Sequence, residues 1–329
     1  MLGLPSAIRW PWRAGANEGT LALTLTEHSM RFLLATETGE QGATVTAWGT
    51  ELRGVSSRDA FMKRVAARLP SAKRVIAVLD PRDYQIMQVE APNVPAEEMR
   101  GAVRWRAMEF FDGSPHNFTL DILTMHQDEE SFGGIANVIV VAAQNDVVKG
   151  RMQDCAMLDL PLSIIDIPET AQRNLLNAAT AATAKPGDVA GVLAVDAGRA
   201  LMTVAVGGEL QFFRRFEFDI DKLLAAGEIQ SALMSDSPEA EAISRSLMQL
   251  HRSMDLWEDN HPRQAIGSMA IAAGTRSDVL ADRLRAELGI ETRTLVLDKV
   301  FRLKNAGAAP PWADVAYLPL LGALLRPVE

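Results

Sequence analysis

The stretch Val189 to Phe218, VAGVLAVDAGRALMTVAVGGELQFFRRFEF, constrains this chain more than any other. Val192 to Val195 and Leu201 to Val206 are apolar and β-branched enough to read as strands, joined by the tight turn Asp196-Ala197-Gly198. Gly207-Gly208 turns the chain into a third strand, Glu209 to Phe216, because glycine adopts the positive φ of a short hairpin turn without steric cost. Such a sheet needs helices over it to bury its apolar residues, so the stretch seeds a layered domain. A carboxylate, Asp196, sits where the first two strands part. An Asp-x-Gly hairpin is common, and alone it reads first as an ordinary turn.

A similar opening stands near the N-terminus. Thr20 to Ala35 reads as two strands interrupted by Thr26-Glu27-His28-Ser29, and after a polar turn at Glu37 to Gly42 comes a third, Ala43 to Glu51. Each hairpin runs on into alternating helices and strands, which predicts a duplicated α/β architecture with a cleft between the halves. At 329 residues the chain is long enough for two full cores. Lys185-Pro186-Gly187-Asp188 is the best boundary. The expected division is a tail over 1–16, a first lobe over 17–187 with a subdomain inserted at about 89–160, and a second lobe over 188–329 whose last helix returns toward the first. The tail, with Trp10 and Trp12 among arginines and prolines, reads either as a flexible end or as an interfacial anchor.

Between these landmarks, Ser57 is expected to cap a helix from Arg58 to Leu69, and Asn145 one from Asp146 to Leu158. Pro168 opens another helix, and Ser237-Pro238 the longest, Glu239 to Asn260. Ser277 is read as the cap of Asp278 to Leu288, closed by Gly289, and Asp314 to Leu325 as the last helix. In the helix Ala96 to Phe111, Met99, Val103, Ala107 and Phe110 form one apolar stripe, with Arg100 and Arg104 largely off it.

Composition excludes several functions. A net charge of −9 without a basic block argues against a nucleic-acid partner. Cys155 is the only cysteine, and His28, His116, His126, His251 and His261 lack zinc-ligand spacing. No apolar run reaches the length of a membrane span, and Arg9, Pro11 and Arg13 interrupt any signal-peptide core, which leads to an expected cytoplasmic location.

The order of segments resembles the PilM family of type IV pilus assembly proteins, most closely its MSHA pilus branch. The likeness rests on Pro92 to Phe111 (PNVPAEEMRGAVRWRAMEFF), Asn117 to Leu123, Asn137 to Leu158, Ile164 to Leu176, Val192 to Gly208, and Ile271 to Gly289 (IAAGTRSDVLADRLRAELG). It covers about Leu21 to Leu325, and its specificity lies in the order of the blocks. The resemblance implies an actin-like (ASKHA) fold of two lobes, with one subdomain inserted in the first. It also implies a cytoplasmic scaffold at the inner membrane that binds the tail of a single-pass PilN- or MshJ-type protein, together with other pilus platform components. Met99, Arg100, Val103 and Arg104 are the candidate partner contacts.

The same resemblance places two phosphate loops and an adenosine-side turn, and each departs from the nucleotide-binding pattern. Thr24 and Thr26 stand where the first loop begins Asp-x-Gly, with Glu27 and His28 beside them. The second loop keeps Asp196 and Gly198, but Arg199-Ala200 replaces small hydroxyl residues and leaves Thr203 as the nearest hydroxyl. On the adenosine side Gly-Gly becomes Ala273-Gly274, followed by Thr275. The implied site is a degenerate one for ATP with Mg, in which Asp196 serves as metal ligand only if the Mg-nucleotide binds. Two other functions share the fold: a slow ATPase or sugar-kinase-like phosphotransferase, which needs a carboxylate base and an intact first loop, and a type II secretion (GspL-like) cytoplasmic domain, usually followed by a transmembrane helix.

Overall fold

The computed structural model of the chain describes residues 19–37, 42–92, 94–107, 115–125, 137–183, 185, 187–226, 237–304 and 309–326. The expectations for the tail over 1–16, for Phe110 and for His126 lie outside them.

The first half opens with β1 (Thr20–Leu25), β2 (Ser29–Glu37) and β3 (Ala43–Leu52), then α1 (Arg58–Arg68) and β4 (Arg74–Val78). It continues through β5 (Tyr84–Glu90), α2 (Ala96–Ala107), β6 (Phe118–Thr124), β7 (Asn137–Gln144), α3 (Asn145–Met157), β8 (Leu162–Asp166) and α4 (Pro168–Thr180). The second half runs β9 (Val189–Asp196), β10 (Arg199–Val206), β11 (Glu209–Glu217), α5 (Ile220–Ala225), α6 (Pro238–Asn260), β12 (Ser268–Ala272), α7 (Ser277–Leu288), β13 (Glu291–Thr294), β14 (Phe301–Leu303) and α8 (Leu318–Leu324).

The duplication is explicit in the sheets. One has the order β14-β3-β2-β1-β4-β8 and another β11-β10-β9-β12-β13, so each half contributes an antiparallel three-stranded opening followed by two parallel strands. β1 and β9 lie in different sheets, as the two-lobed reading requires. A third sheet, β5-β7-β6, is inserted between β4 and β8 and carries α2 on one face through Val89, Val103, Ala107, Leu120 and Val140.

Each large sheet is buried on both faces, which explains its near-continuous apolar runs. On the second sheet, Met202, Val204 and Val206 face α6 and α7 through Leu250, Trp257 and Leu284. Its other face meets α4, where Leu176 packs with Val192, Ala205 and Ala270. The first sheet is covered by α1 on one side and by α8 on the other, through Leu320, Leu321 and Leu324. α4 is therefore a shared layer. Gln172 on it sets its side-chain amide 3.0–3.1 Å from Val192 O, Leu201 O and Thr203 Oγ1 of the second sheet.

Several local expectations are corrected. Ser57 and Ser237 cap their helices, accepting from Ala60 N and Ala240 N, but Asn145 caps nothing. Its amide donates to His116 O and its oxygen accepts from Thr119, while α3 starts after an extended Gln144 with no side-chain cap. Ser277 lies inside α7, its hydroxyl accepting from Ala273 N and donating to Gly274 O. The last helix is shorter than Asp314 to Leu325. Two 3-10 turns, Pro311–Ala313 and Val315–Tyr317, precede α8, the second capped by the Asp314 carboxylate. β14 and α5 are additional elements.

Candidate functional site

Both hairpin turns reach the same cavity, about 580 Å³ in volume, between the two large sheets. Thr24, Thr26 and Arg31 enter it from the first sheet, Asp196, Ala197, Arg199 to Leu201 and Arg215 to Glu217 from the second, Pro168 and Gln172 from α4, and Val315, Ala316, Leu318 and Pro319 from the C-terminal segment.

The first loop is built to close itself. Thr26 Oγ1 accepts from Ser29 N at 3.0 Å and His28 N at 3.3 Å and lies 3.1 Å from Ser29 O as donor, a hydroxyl-closed turn that leaves little for a ligand. Thr24 stands in register with Arg31, so the strand end where the resemblance implies a loop carboxylate presents a neutral hydroxyl across from an arginine. His28 is exposed and does not line the cavity.

In the second loop Ala197 and Gly198 have φ of 46° and 78°, the left-handed pair of a two-residue hairpin turn. Asp196 lines the cavity while Gly198 lies beside it, around the turn. Thr203 is corrected outright: it is 1% exposed, faces α4, and accepts from Gln172 Nε2. Gly274 and Thr275 also lie outside the cavity lining. A Cβ on Gly274 would come 2.7 Å from Ala313 O, so that glycine admits the 3-10 turn packed over it. These residues do not fit Mg-ATP. One of the expected pair of loop carboxylates is absent, the Thr26 hydroxyl is engaged, and the adenosine-side turn is covered by the chain itself. Among the described residues no three of His, Cys, Asp and Glu converge closely enough to hold a metal ion.

Sequence reasoning missed the charged cluster at the cavity wall. Glu169, in the first turn of α4, is completely buried. Its Oε2 accepts from the Tyr84 hydroxyl of β5, and Arg215 of β11 pairs with Oε1 in ion contact without hydrogen-bond alignment. The Arg215 guanidinium also lies 5.2 Å from the centre of the Tyr84 ring. Burial pushes the Glu169 carboxyl above its ordinary range, opposed by Arg215 and Tyr84. Burial and then the Glu169 charge push the Tyr84 hydroxyl up as well. Glu169 reads in sequence as an ordinary acidic first-turn residue, since nothing local reveals that three units close around it. Asp80, whose burial opposes ionisation, is nevertheless held below the usual carboxylate range by hydrogen bonds and charge from Arg82.

A second cavity, about 250 Å³, lies between the first sheet and the inserted one. β6 and β8, each the terminal strand of its sheet, both contribute to it. Its lining is largely branched apolar, including Leu79, Val141, Ile165 and Ile167, with Arg100, Asp121, Asp166 and Arg326 among the polar residues. Of the four candidate partner contacts, Arg100 is here, paired with Asp121 at 3.0 Å. Arg104 donates to Phe118 O at 3.2 Å. Val103, 1% exposed, is core between α2 and the inserted sheet, and Met99, partly buried, packs against the same cluster. Cys155 is buried, and burial, then the Asp154 charge, pushes its thiol up to about 11, which suits a structural role.

No family model and no curated protein matches the chain. Among solved structures it is similar to a chain of the PilM-PilN type IV pilus biogenesis complex, at 18% identity and a TM-score of 0.68, covering 94% of this chain and 99% of that one. It also matches the cytoplasmic domain of EpsL, an inner-membrane component of the Vibrio cholerae type II secretion system, at 10% identity and a TM-score of 0.48 over 95% and 97% of the two chains. A Bacteroides thetaiotaomicron protein with an actin-like ATPase fold follows at 10% identity and 0.46 over 91% and 95%. With its duplicated sheets and near-complete overlap with the first of these structures, the chain has the two-lobed actin-like fold with a subdomain inserted in the first lobe.

Proposed function

We propose that this protein is a PilM-like scaffold of a type IV pilus inner-membrane platform, of the MSHA type, and that it binds the cytoplasmic tail of a PilN- or MshJ-like single-pass protein. The observation that carries this reading is the groove between the first sheet and the insert. It is apolar, flanked by two terminal strands, and sized for a short extended segment, which such edges recognise by strand addition and side-chain pockets. The PilM-PilN structure, a complex on the same fold, gives the class of partner. Among the described residues no helix is long and apolar enough to cross a membrane, so in this reading the partner provides the membrane attachment and the location is the inner face of the inner membrane.

The test is co-purification of the full chain from cells, looking for a small single-pass membrane protein, followed by binding of that protein's tail. Arg100→Glu, which reverses a charge at the groove, is expected to weaken tail binding at least several-fold, and Arg104→Glu less. Unchanged affinity for Arg100→Glu with an intact fold rejects the role of that residue, and failure to recover any such partner rejects the reading.

For the cleft, the reading is a non-catalytic relic. Loss of one preorganised electrostatic group typically costs about 10²- to 10³-fold in rate. Phosphate release from Mg-ATP is expected at background for both wild type and Asp196→Ala. Turnover that disappears in Asp196→Ala would favour the enzyme reading instead.

A further inference from the structure

One face of the first lobe carries the opposite charge to the chain as a whole. Residues 50–74 hold seven arginines and lysines against Glu51 and Asp59, a net +5 in a chain whose total is −9. They are not a run in sequence, and the fold collects them around α1. Phe61, Met62 and Val65 bury one side of that helix against the first sheet, which turns Ala60, Lys63, Ala66 and Ala67 outward. Arg64 and Arg68, one turn apart, flank this outer strip toward β3, where both pair with Glu51, and Arg58 flanks it toward α3, paired with Asp154. Lys73 is exposed just past the helix, and neither it nor Lys63 forms an ion pair with a described residue. The other end of the face is apolar. Val55 stands in the tight turn between β3 and α1, where Ser56 N donates to Arg53 O at 3.2 Å and Gly54 has a φ of 59°. It is fully exposed, and Leu52 just before it is 67% exposed. Arg53 holds this tip in place, donating to Ser56 O at 3.0 Å and to Glu27 O at 3.3 Å.

We infer that this face rests directly on an anionic lipid bilayer, with Leu52 and Val55 entering the headgroup layer and α1 lying along it. The charge selects an anionic surface, near which each exposed cation contributes a factor of about five in affinity. The apolar tip selects lipid among such surfaces, because uncovered aliphatic side chains gain nothing from a phosphate backbone and are drawn to the acyl boundary beneath a headgroup layer. One weak signal gives only marginal attachment, and apolar insertion joined to basic charge supplies the second. The alanines keep the strip between the basic flanks low, so the long cationic side chains reach past it to the phosphates. Gly19 O accepts from Lys73 N at 3.0 Å, so the sequence before it joins the lobe at the basic end of this face. That sequence carries Arg9, Trp10, Trp12 and Arg13 and no acid before Glu18, a composition suited to the same layer. Asp59, the exposed carboxylate of α1, lies in the first turn, where the helix dipole offsets its charge. This contact needs no partner protein and stands independently of the groove reading.

The test is flotation of the purified full chain with vesicles of phosphatidylcholine, alone or mixed with phosphatidylglycerol. Binding is expected on the mixed vesicles only, and to fall as salt is raised. Lys63→Glu with Lys73→Glu is expected to weaken it at least about 25-fold, and Val55→Ser, which changes no charge, by about 3- to 10-fold. All three residues are exposed, so circular dichroism and the urea midpoint are expected to match wild type. Lys185→Glu with Arg293→Glu makes the same change of net charge at exposed positions of the boundary and of β13, and is expected to leave binding within about 2-fold. Equal losses for the two double reversals, or undiminished binding by Val55→Ser, overturn the assignment of this face. Binding that survives both face variants and is lost in Trp10→Ser with Trp12→Ser moves the anchor to the N-terminal sequence and overturns it too. A single-stranded RNA oligonucleotide bound as tightly as the mixed vesicles reveals a general polyanion surface and overturns the choice of lipid. No binding to anionic vesicles rejects the inference outright.

Discussion

Among the described glycines, Gly322 in α8 is the one where an added Cβ would come nearest another backbone atom. A Cβ built there would lie 2.0 Å from Ala171 O, 2.4 Å from Ala171 C and 2.8 Å from Ala171 Cα, all main-chain atoms of α4. No rotamer relieves such a contact. Reaching the ~3.5 Å at which non-bonded heavy atoms sit requires α8 to move away by roughly 1.5 Å. That shift loosens Leu175, Leu320 and Leu321 in the shared core and stretches the 3.1 Å bond from Asn174 Nδ2 to Gly322 O. In an unhindered helix Gly→Ala is stabilising by about 1 kcal/mol, whereas overpacking costs about 1–3 kcal/mol and a lost hydrogen bond about 1 kcal/mol more. Gly322→Ala is therefore expected to destabilise by about 1–3 kcal/mol. Gly101→Ala is the control. It lies in α2, exposed, with nothing within 4 Å of its would-be Cβ, and is expected to stabilise by about 0.5–1 kcal/mol. Urea unfolding followed by tryptophan fluorescence and circular dichroism reads both. A Gly322→Ala midpoint at or above wild type would refute the argument that α4 and α8 are in main-chain contact.

Two further outcomes follow from α4. Glu169 has a folded-state pKa raised above its ordinary 4.5, chiefly by burial, so the folded chain binds the proton more tightly than the unfolded one. Its contribution to stability is full below the unfolded pKa and is lost as pH rises through the folded value; Glu169→Gln should flatten the fall in urea midpoint from about pH 4.5 upward, and an unchanged slope would count against it. Gln172→Leu strips the amide from Val192 O, Leu201 O and Thr203 Oγ1 and is expected to cost about 2–3 kcal/mol, against about 1 kcal/mol for Thr203→Val, with equal costs contradicting the three-acceptor geometry.

What could be read from sequence was what local chemistry decides. Turns at Asp196-Ala197-Gly198 and Gly207-Gly208, serine caps at Ser57 and Ser237, and the left-handed Gly289 each act within a few residues, and each is where it was expected. What escaped was decided at long range. β14 is three residues long and exists because it pairs with β3, some 250 residues away. Asn145 looks like a cap but is claimed by His116 and Thr119. The last helix was read too early although Pro319 marks its first turn, a usable signal. In the cleft, Asp196 and Thr26 are legible as turn residues and Thr24 as a strand residue just before its turn, whereas Thr203 escapes because α4, from the other half of the chain, covers that face of β10.

The first turn of α4 also ties the cleft to the groove. Pro168 and Gln172 line the cleft, Asp166, Ile167 and Thr170 line the groove, and Leu79 lines both, so one turn of helix is the partition between the two cavities. Glu169 lies inside that partition, tied to β5 by Tyr84 and to β11 by Arg215. Filling the cleft with side chains would push on this turn, and the turn holds Asp166 in place through Ile167 N and Thr170. An unpaired buried ion costs far more than a lost surface contact, so Arg215 and Glu169 constrain each other even where no ligand is bound. Thr24 and Thr26 line the cleft but take no part in that partition, so substitution there is expected to leave the groove unchanged. If the groove is the working surface, as proposed above, the wall that it needs is the same wall that holds the cleft open.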